Sequence, residues 1–295
     1  MVPEVVEIAI APRTEADQER LALALSRLAL EDPSFRATRN RESGQTIITG
    51  IGERHVEKLV DRLQREFSVE IEVGAPQVAY REILASPVHV DHAHKGVSGN
   101  TGEFGRVKVQ VVPGERGSGV QFFDEIKGGN IPPEFVPFVE KGMREAAGTG
   151  PLVGFPIIDF EFHLIDGAYH DTDSSRRAFE IAGRDAMREA AQRAGTHLRE
   201  PIMNIEVVTP EQFVHEVIAV LSNRCAQIEG TNPRTDAQVV TASAPMMRLF
   251  GLERELKSRT DGQAIVEIAW DRYELVNPNY TDPDDSFPAA AALRA

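Results

Sequence analysis

Near the start of the chain, apolar residues first alternate with polar ones and then recur at helical spacing. Residues 5–12 (VVEIAIAP) are typical of a strand, and Thr14, with Asp17 three positions later, is typical of the residue that caps a helix. The pattern therefore predicts a strand followed by a helix. The apolar stripe of that helix comprises Leu21, Leu25 and Leu28.

Two further β-rich runs, residues 34–39 and 45–51, flank the turn sequence Glu42-Ser43-Gly44 and predict a hairpin. A second helix follows, because apolar residues return on one face at helical spacing. Residues 69–73 (VEIEV) then predict another strand. The order βαββαβ is a split βαβ unit, so residues 1–75 are expected to form a ferredoxin-like domain. The apolar face of the second helix comprises Val56, Leu59, Val60, Leu63 and Phe67.

Residues 201–276 repeat this order of elements. A strand at MNIEVV is followed by a helical pattern, and AQIEG and AQVVTASAP predict the two middle strands. A helix over about 246–257 and a closing strand at AIVEIAWDRYEL complete a second ferredoxin-like unit. The apolar side of its first helix comprises Phe213, Val217, Val220 and Leu221.

The segment between these two units, residues 76–200, mixes strands with a helix and is densely punctuated by Gly and Pro. RVKVQVVP and IIDFEFHLI predict strands, and residues 174–193 predict an amphipathic helix. The fold class is therefore α+β with three domains, bounded at 1–75, 76–200 and 201–276. Residues 277–295 are acidic and then rich in Ala, a composition typical of a disordered tail.

The charge balance argues against a protein that simply grips phosphates. Lys and Arg total 32 against 46 Asp and Glu, which gives a net charge of -14. The single cysteine, Cys225, excludes an internal disulfide and is typical of a reducing compartment. Because no apolar run is long enough to span a membrane, we expect a soluble protein that is not exported.

Three histidines, His89, His92 and His94, have a spacing that suggests a metal site. A fourth ligand is hard to find, because Asp91 faces the other way in an extended segment and no cysteine is near. Structural or solvent-exposed histidines are the better interpretation, and a metal-dependent enzyme is the rival one.

A run of acidic residues suggests a calcium loop, but its spacing is wrong. Counting from Asp166, the sixth and twelfth positions hold Asp171 and Arg177, where an EF-hand needs Gly and Glu. A turn at Asp166-Gly167 with Asp173 or Ser174 capping the next helix is the better prediction.

The glycines Gly99, Gly102 and Gly105 fit neither a dinucleotide fingerprint nor a P-loop, and no Gly-Lys-Ser/Thr occurs. A glycine-rich hairpin is therefore predicted, and this chain is not expected to bind a nucleotide.

Several longer motifs, in collinear order over residues 3–276, resemble one protein family. EDPSFR, SGQTIITGIGE, VDRLQREF and VGAPQVAYRE are similar to the third domain of bacterial elongation factor G and its junction with the fourth. HKGVSGNTGEFGRV, GGNIPPEFVPFVEKGMREA, GPLVGFPI and DGAYHDTDSS resemble the fourth domain. EPIMNIEVVTPE and QIEGTNPR resemble the fifth.

The resemblance implies an arm shaped like a tRNA, in which an S5-like α+β domain lies between two ferredoxin-like domains. The partner would be the ribosome, because the family's fourth domain enters the decoding site and prevents the tRNA and mRNA from slipping back. His170 occupies the position of the family's tip histidine, although from the residues alone Tyr169 could instead be buried and His170 could merely cap a turn. The implied tip loops, which would contact rRNA and the tRNA–mRNA, comprise Ser98, Gly99, Asn100, Thr101, Gly102, Glu103 and Phe104, and Gly167, Ala168, Tyr169, His170 and Asp171.

The resemblance also implies what this chain lacks. The family binds GTP and magnesium in an amino-terminal domain without a counterpart here, so no cofactor, no catalytic residue and no GTP hydrolysis are expected of this chain. We expect a cytoplasmic monomer without membrane contact. Because Met1 directly precedes the third-domain pattern, a fragment of a longer protein is expected rather than a natural short one.

Three short segments depart from the family pattern. Gly52-Glu53-Arg54-His55-Val56 stands for Gly-Glu-Leu-His-Leu, Arg224-Cys225-Ala226 for Arg-Arg-Gly, and Asp261-Gly262-Gln263-Ala264 for Gln-Gly-Arg-Gly. The two later departures remove charge that could bind phosphate. A stand-alone, divergent ribosome-binding regulator therefore remains an alternative.

Overall fold

The computed structural model describes residues 5–39, 46–74, 77–98, 101–234 and 236–276, which form an α+β fold with three sheets. The predicted turn at Glu42-Ser43-Gly44 and the predicted tail at 277–295 lie outside these ranges. The strands are β1 Val6–Pro12, β2 Arg36–Arg39, β3 Thr46–Gly50, β4 Ile71–Val73, β5 Gln77–Val78, β6 Arg81–Leu84, β7 Val88–Ser98, β8 Thr101–Pro113, β9 Val120–Asp124, β10 Phe160–Ala168, β11 Thr196–Thr209, β12 Gln227–Arg234, β13 Ala237–Pro245 and β14 Ile265–Leu275. The α-helices are α1 Glu15–Glu31, α2 Glu53–Arg65, α3 Val136–Ala147, α4 Arg176–Ala194, α5 Val214–Asn223 and α6 Leu252–Arg259, and two 3-10 helices span Glu211–Phe213 and Met246–Leu249.

The chain divides into two compact units. The flanking unit combines the chain up to Ala79 with Glu200–Glu274, and the middle unit contains Tyr80–Arg199. The division into three domains at residues 75 and 200 remains a prediction. Within the described ranges, no helix is long and apolar enough to cross a membrane.

The first sheet of the flanking unit has the strand order β2-β3-β1-β4, which is the ferredoxin-like order predicted from the sequence. Alternate residues of β1 are buried, and the hydroxyl of Thr14 accepts the amide N–H of Asp17 at 3.1 Å, so the predicted helix cap is confirmed. Phe67 does not belong to the apolar face of α2, because that helix ends at Arg65 and the chain then turns at Ser68, where φ is 51°.

The second sheet of the flanking unit has the equivalent order β12-β13-β11-β14. Two of its predicted helices are corrected. The single helix over 246–257 is broken into a 3-10 turn and α6, because Gly251 between them has a φ of 72°, in the left-handed region. Phe213 lies in the 3-10 turn that precedes α5.

Glu200 is a buried carboxyl group in β11 of the flanking unit, only 6% exposed. Burial raises its pKa to about 7, against the opposing effect of Arg248 and with a further increase from Glu274. The folded protein therefore binds a proton at Glu200 more tightly than the unfolded chain does, and folding loses stability as the pH rises from about 4.5 to about 7.

Replacing Glu200 with Gln is expected to raise the free energy of unfolding of the flanking unit by about 3 kcal/mol at about pH 8 and to change it little at about pH 4. Urea unfolding followed by the fluorescence of Trp270 measures this, because Trp270 is the one tryptophan of the chain and lies in β14 of the same unit. Glu206→Gln, at an exposed position of the same strand, is the control and should unfold like the wild type. A stabilisation that is equal at both pH values would contradict the prediction.

The middle unit is a four-stranded sheet in the order β7-β8-β10-β9, with α3 and α4 packed on one face. β9 runs parallel to β10, and the other neighbours are antiparallel. The helix predicted over 174–193 is α4, but its cap is Ser175, whose hydroxyl accepts the amide N–H of Ala178 at 3.1 Å. The prediction that Asp173 or Ser174 caps it was wrong, because both are engaged elsewhere.

α3 and α4 cross at a point where each contributes a glycine. A Cβ atom on Gly142 would lie 1.9 Å from the carbonyl oxygen of Glu180, and one on Gly183 would lie 2.4 Å from that of Val139. The two backbones are therefore in direct contact at the crossing.

A second tight contact of the middle unit surrounds the fully buried carboxylate of Glu82. It accepts the amide N–H groups of Leu152, Val153 and Gly154 at 3.0–3.1 Å and the hydroxyl of Thr196 at 2.8 Å. The loop after α3 is thereby wrapped around a side chain of β6.

Candidate nucleic-acid interface

Two segments meet at one end of the middle sheet. One is the start of β8, and the other is the loop that joins β10 to α4. The amide N–H of Phe104 donates to the carbonyl oxygen of Asp173 at 2.8 Å, and Phe104 and Ser174 form a parallel bridge. The structure therefore brings the two segments of the predicted tip together, and we call residues 102–104 with 167–174 the two-loop tip. Ser98, the last residue of β7, pairs with Thr101, the first residue of β8, whereas Gly99 and Asn100 lie outside the described residues.

Ser174 connects the two loops. Its hydroxyl donates to the carbonyl oxygen of Phe104 at 2.8 Å and accepts the amide N–H of His170 at 2.9 Å. Its own amide N–H donates to the carbonyl oxygen of His170 at 3.0 Å. The backbone on both sides of His170 is thus fixed against the hairpin.

Tyr169 and His170 are exposed at the tip. Tyr169 is 44% exposed, which excludes the alternative that its ring is buried, and the side chain of His170 is 59% exposed. Nδ1 of His170 lies 3.1 Å from the hydroxyl of Thr172 and 3.4 Å from a carboxylate oxygen of Asp173. These contacts orient the ring and leave its opposite edge directed away from them.

The glycines of the tip are explained by close packing. A Cβ on Gly102 would lie 2.9 Å from Cγ of Asp173, so a larger residue there would require the side chain of Asp173 to move. A Cβ on Gly167 would lie 2.3 Å from the carbonyl oxygen of Arg106 and 2.4 Å from Cδ1 of Ile131. The glycine spacing predicted a hairpin rather than a phosphate-binding loop, but it did not indicate these contacts.

Charges beside the tip are largely paired. Arg106 donates to both carboxylate oxygens of Asp91 at 2.6–2.7 Å, and Lys108 lies 3.1 Å from Asp166. The side-chain amide of Asn130, the amide N–H of Gly167 and Lys108 lower the pKa of Asp166 to about 2, so this carboxylate stays charged. Arg106 and Lys108 are therefore held by carboxylate groups, which makes these two cations less available to bind phosphate.

The three histidines of β7 do not converge. His89 is exposed on one face of the sheet, whereas Nδ1 of His92 lies 3.2 Å from Glu189 of α4 on the other. His94 lies 3.5 Å from Glu103. Among the described residues, no group of three or more His, Cys, Asp or Glu side chains could hold a metal ion.

Comparison with known proteins identifies the family. The models named "Elongation Factor G, domain III", "Elongation factor G, domain IV" and "Elongation factor G C-terminus" match residues 1–75, 76–195 and 197–283. The chain belongs to the elongation factor G family. It is 50% identical over 278 residues to elongation factor G of Paracoccus denitrificans, and 49% identical over the same length to that of Cereibacter sphaeroides.

The match covers 94% of this chain and 39% of each of those relatives, so the chain spans about two fifths of the length of an elongation factor G. A crystal structure of a protein from Thermus thermophilus is similar in fold, with a TM-score of 0.74 and 30% identity. That likeness covers all of this chain and 43% of the Thermus chain.

In two of the segments that depart from the elongation factor G pattern, an arginine has partners inside the flanking unit. Arg54 lies 3.5 Å from Glu253 of α6. Arg224 donates to the carboxylate of Glu255 at 2.6–2.9 Å and to the carbonyl oxygens of Arg248 and Phe250 at 2.7 and 2.9 Å. The guanidinium group of Arg224 therefore fixes the backbone where the 3-10 turn ends and α6 begins. The sequence did not indicate this role.

Proposed function

We propose that the chain is the ribosome-binding arm of a translation elongation factor and that its two-loop tip occupies the decoding site in the cytoplasm. Occupation promotes movement of the tRNA–mRNA by preventing its return, and the chain contributes no chemistry to this step. GTP hydrolysis is assigned to the amino-terminal domain of elongation factor G, which has no counterpart in this chain. Membership of the elongation factor G family supports the ribosome as the partner.

The observation that carries the proposal is the exposure of Tyr169 and His170 on a tip whose backbone is fixed. Aromatic side chains and imidazoles recognise RNA by stacking on bases and by hydrogen bonds to bases and 2′-hydroxyls. Such contacts need few cations, which fits a chain with a net charge of -14. The ordered tip also reduces the conformational entropy that would be lost on binding.

His170→Ala is expected to weaken binding to 70S ribosomes about tenfold, because one base or sugar contact contributes roughly 1–3 kcal/mol. His89→Ala, which removes an exposed histidine from another part of the middle unit, is the matched control and should bind like the wild type. Co-sedimentation over a range of ribosome concentrations measures both affinities. Repeating it over a salt series should give a shallow dependence, because each neutralised phosphate adds roughly 0.7–0.9 to the slope.

Equal binding by His170→Ala and wild type, or no saturable binding by the unchanged chain, would contradict the proposal that this tip supplies the affinity.

One observation favours the alternative, a stand-alone regulator that competes with the complete factor for ribosomes. Cys225, which is exposed, stands where the family pattern has Arg, and Ala226 stands where it has Gly, so a cation that could bind ribosomal phosphate is absent there. A regulator of this kind should inhibit translocation by the complete factor at concentrations near its own Kd, whereas an arm that needs its GTPase domain should not compete effectively.

A further inference from the structure

One side-chain hydroxyl group bonds to the backbone of both segments of the tip. Ser174 donates to the carbonyl oxygen of Phe104 in the hairpin and accepts the amide N–H of His170 in the other loop, at 2.8 and 2.9 Å. A serine hydroxyl has one proton and two lone pairs, so it can satisfy a carbonyl and an N–H group at once. Alanine can satisfy neither.

We propose that Ser174 is a positioning residue for His170, fixing the loop that carries the imidazole on the β7–β8 hairpin in the orientation that engages ribosomal RNA. This inference rests on the proposed function. Ser174 itself is only partly exposed and acts through the backbone of His170, with both the N–H and the carbonyl oxygen of that residue bound to Ser174.

Two other contacts restrict the same loop but act on different atoms. Thr172 and Asp173 approach Nδ1 of His170 and so influence the rotation of its ring. The carbonyl oxygen of Asp173 accepts the amide N–H of Phe104, beside Gly102. Of these residues, Ser174 is the one whose side chain bonds to the backbone of both segments, which distinguishes its role from that of Thr172 and Asp173.

Removing the hydroxyl of Ser174 should first increase the local opening of the loop that carries His170. In Ser174→Ala the amide of His170 loses its acceptor, so its hydrogen exchange should accelerate about tenfold or more, measured by NMR on the folded chain. Binding should weaken with it, because a loop that samples several conformations must be ordered when the ribosome is bound.

The adjacent serine provides a matched control. Ser175 caps α4 through the amide N–H of Ala178, so Ser175→Ala removes a hydroxyl of the same size without touching the two loops. The test is 70S co-sedimentation and amide exchange of Ser174→Ala, Ser174→Thr, Ser175→Ala and His170→Ala. We expect Ser174→Ala to bind about tenfold more weakly, as His170→Ala does, whereas Ser174→Thr retains the hydroxyl and should bind within about threefold of wild type. Ser175→Ala should keep both the affinity and the slow exchange of the His170 amide.

The outcomes separate this inference from the function on which it rests. If His170→Ala weakens binding and Ser174→Ala does not, the positioning role is wrong and the proposed function stands. If neither substitution changes binding, the proposed function fails and the inference fails with it. A loss of affinity in Ser175→Ala as large as in Ser174→Ala, or a failure of Ser174→Thr to restore binding, would show that the hydroxyl is not the cause.

Discussion

Replacing Glu82 with alanine is expected to lower the free energy of unfolding of the middle unit by about 4 kcal/mol. The carboxylate is fully buried and accepts three backbone N–H groups, from Leu152, Val153 and Gly154, together with the hydroxyl of Thr196. Removing it leaves four donors without a partner inside the protein and creates a cavity. Each unsatisfied buried donor costs roughly 1–3 kcal/mol before water enters, which sets the size of the effect.

Hydrogen exchange of peptides from β8 and β10, measured by mass spectrometry, reports the stability of this unit directly. Glu82→Gln should cost less than Glu82→Ala, because the amide oxygen can still accept two of the bonds while its NH2 group faces the remaining donors. Glu134→Ala, at an exposed position of the same unit, should change the stability by less than about 0.5 kcal/mol. A loss below about 1 kcal/mol in Glu82→Ala would mean that the loop satisfies its N–H groups without the carboxylate.

This contact joins two of the segments that resemble elongation factor G. Glu82 belongs to VGAPQVAYRE, and its three N–H partners belong to GPLVGFPI, about 70 residues later. Sequence patterns predict the structure of each segment but not the contact between them. Neither hydrophobic periodicity nor turn chemistry encodes a contact between segments so far apart in the chain. The side-chain oxygens of Glu82 accept hydrogen bonds from a nest of N–H groups.

The elements that the sequence predicted well are those whose burial follows a simple period. Val6, Ile8 and Ile10 alternate in β1, and Val56, Leu59 and Leu63 recur at helical spacing in α2, so both ferredoxin-like units could be predicted. The same rule failed at residues 246–257, because the apolar spacing continues through Gly251 while the backbone does not. α3 was not predicted, since Pro137, Gly142 and Gly148 are poor helix formers.

The candidate site was predicted only through its resemblance to a family. His170 and the glycines around it carry no period or spacing that indicates RNA, and Ser174 was expected to cap a helix. Asp173, Ser174 and Ser175 are all good capping residues, and the sequence cannot decide among them. In the structure Ser175 caps α4, whereas the hydroxyl of Ser174 donates to the carbonyl oxygen of Phe104 in β8. The sequence could not indicate this, because β8 lies in a distant part of the chain.

Replacing Gly142 with alanine is expected to destabilise the middle unit by at least about 4 kcal/mol, although alanine is intrinsically the better helix former by about 1 kcal/mol. The added Cβ would lie 1.9 Å from the carbonyl oxygen of Glu180 and 2.9 Å from the amide nitrogen of Arg184, both backbone atoms of α4.

No side-chain rotation can relieve this contact, so α3 and α4 must move apart and lose packing along their length. The expected cost therefore exceeds the roughly 1–3 kcal/mol typical of overpacking in a core. Gly183→Ala, on the facing helix, should have a similar effect because its Cβ would lie 2.4 Å from the carbonyl oxygen of Val139.

Gly148→Ala provides the control for the Gly142 prediction, since this glycine ends the same helix with a φ of -66° and its Cβ would approach only the carbonyl oxygen of Glu145, at 3.2 Å. It should change the stability by less than about 1 kcal/mol. Hydrogen exchange of α3 and α4 peptides measures all three variants. If Gly142→Ala proved as mild as Gly148→Ala, the two helices would have to cross with more space between their backbones than the structure gives them.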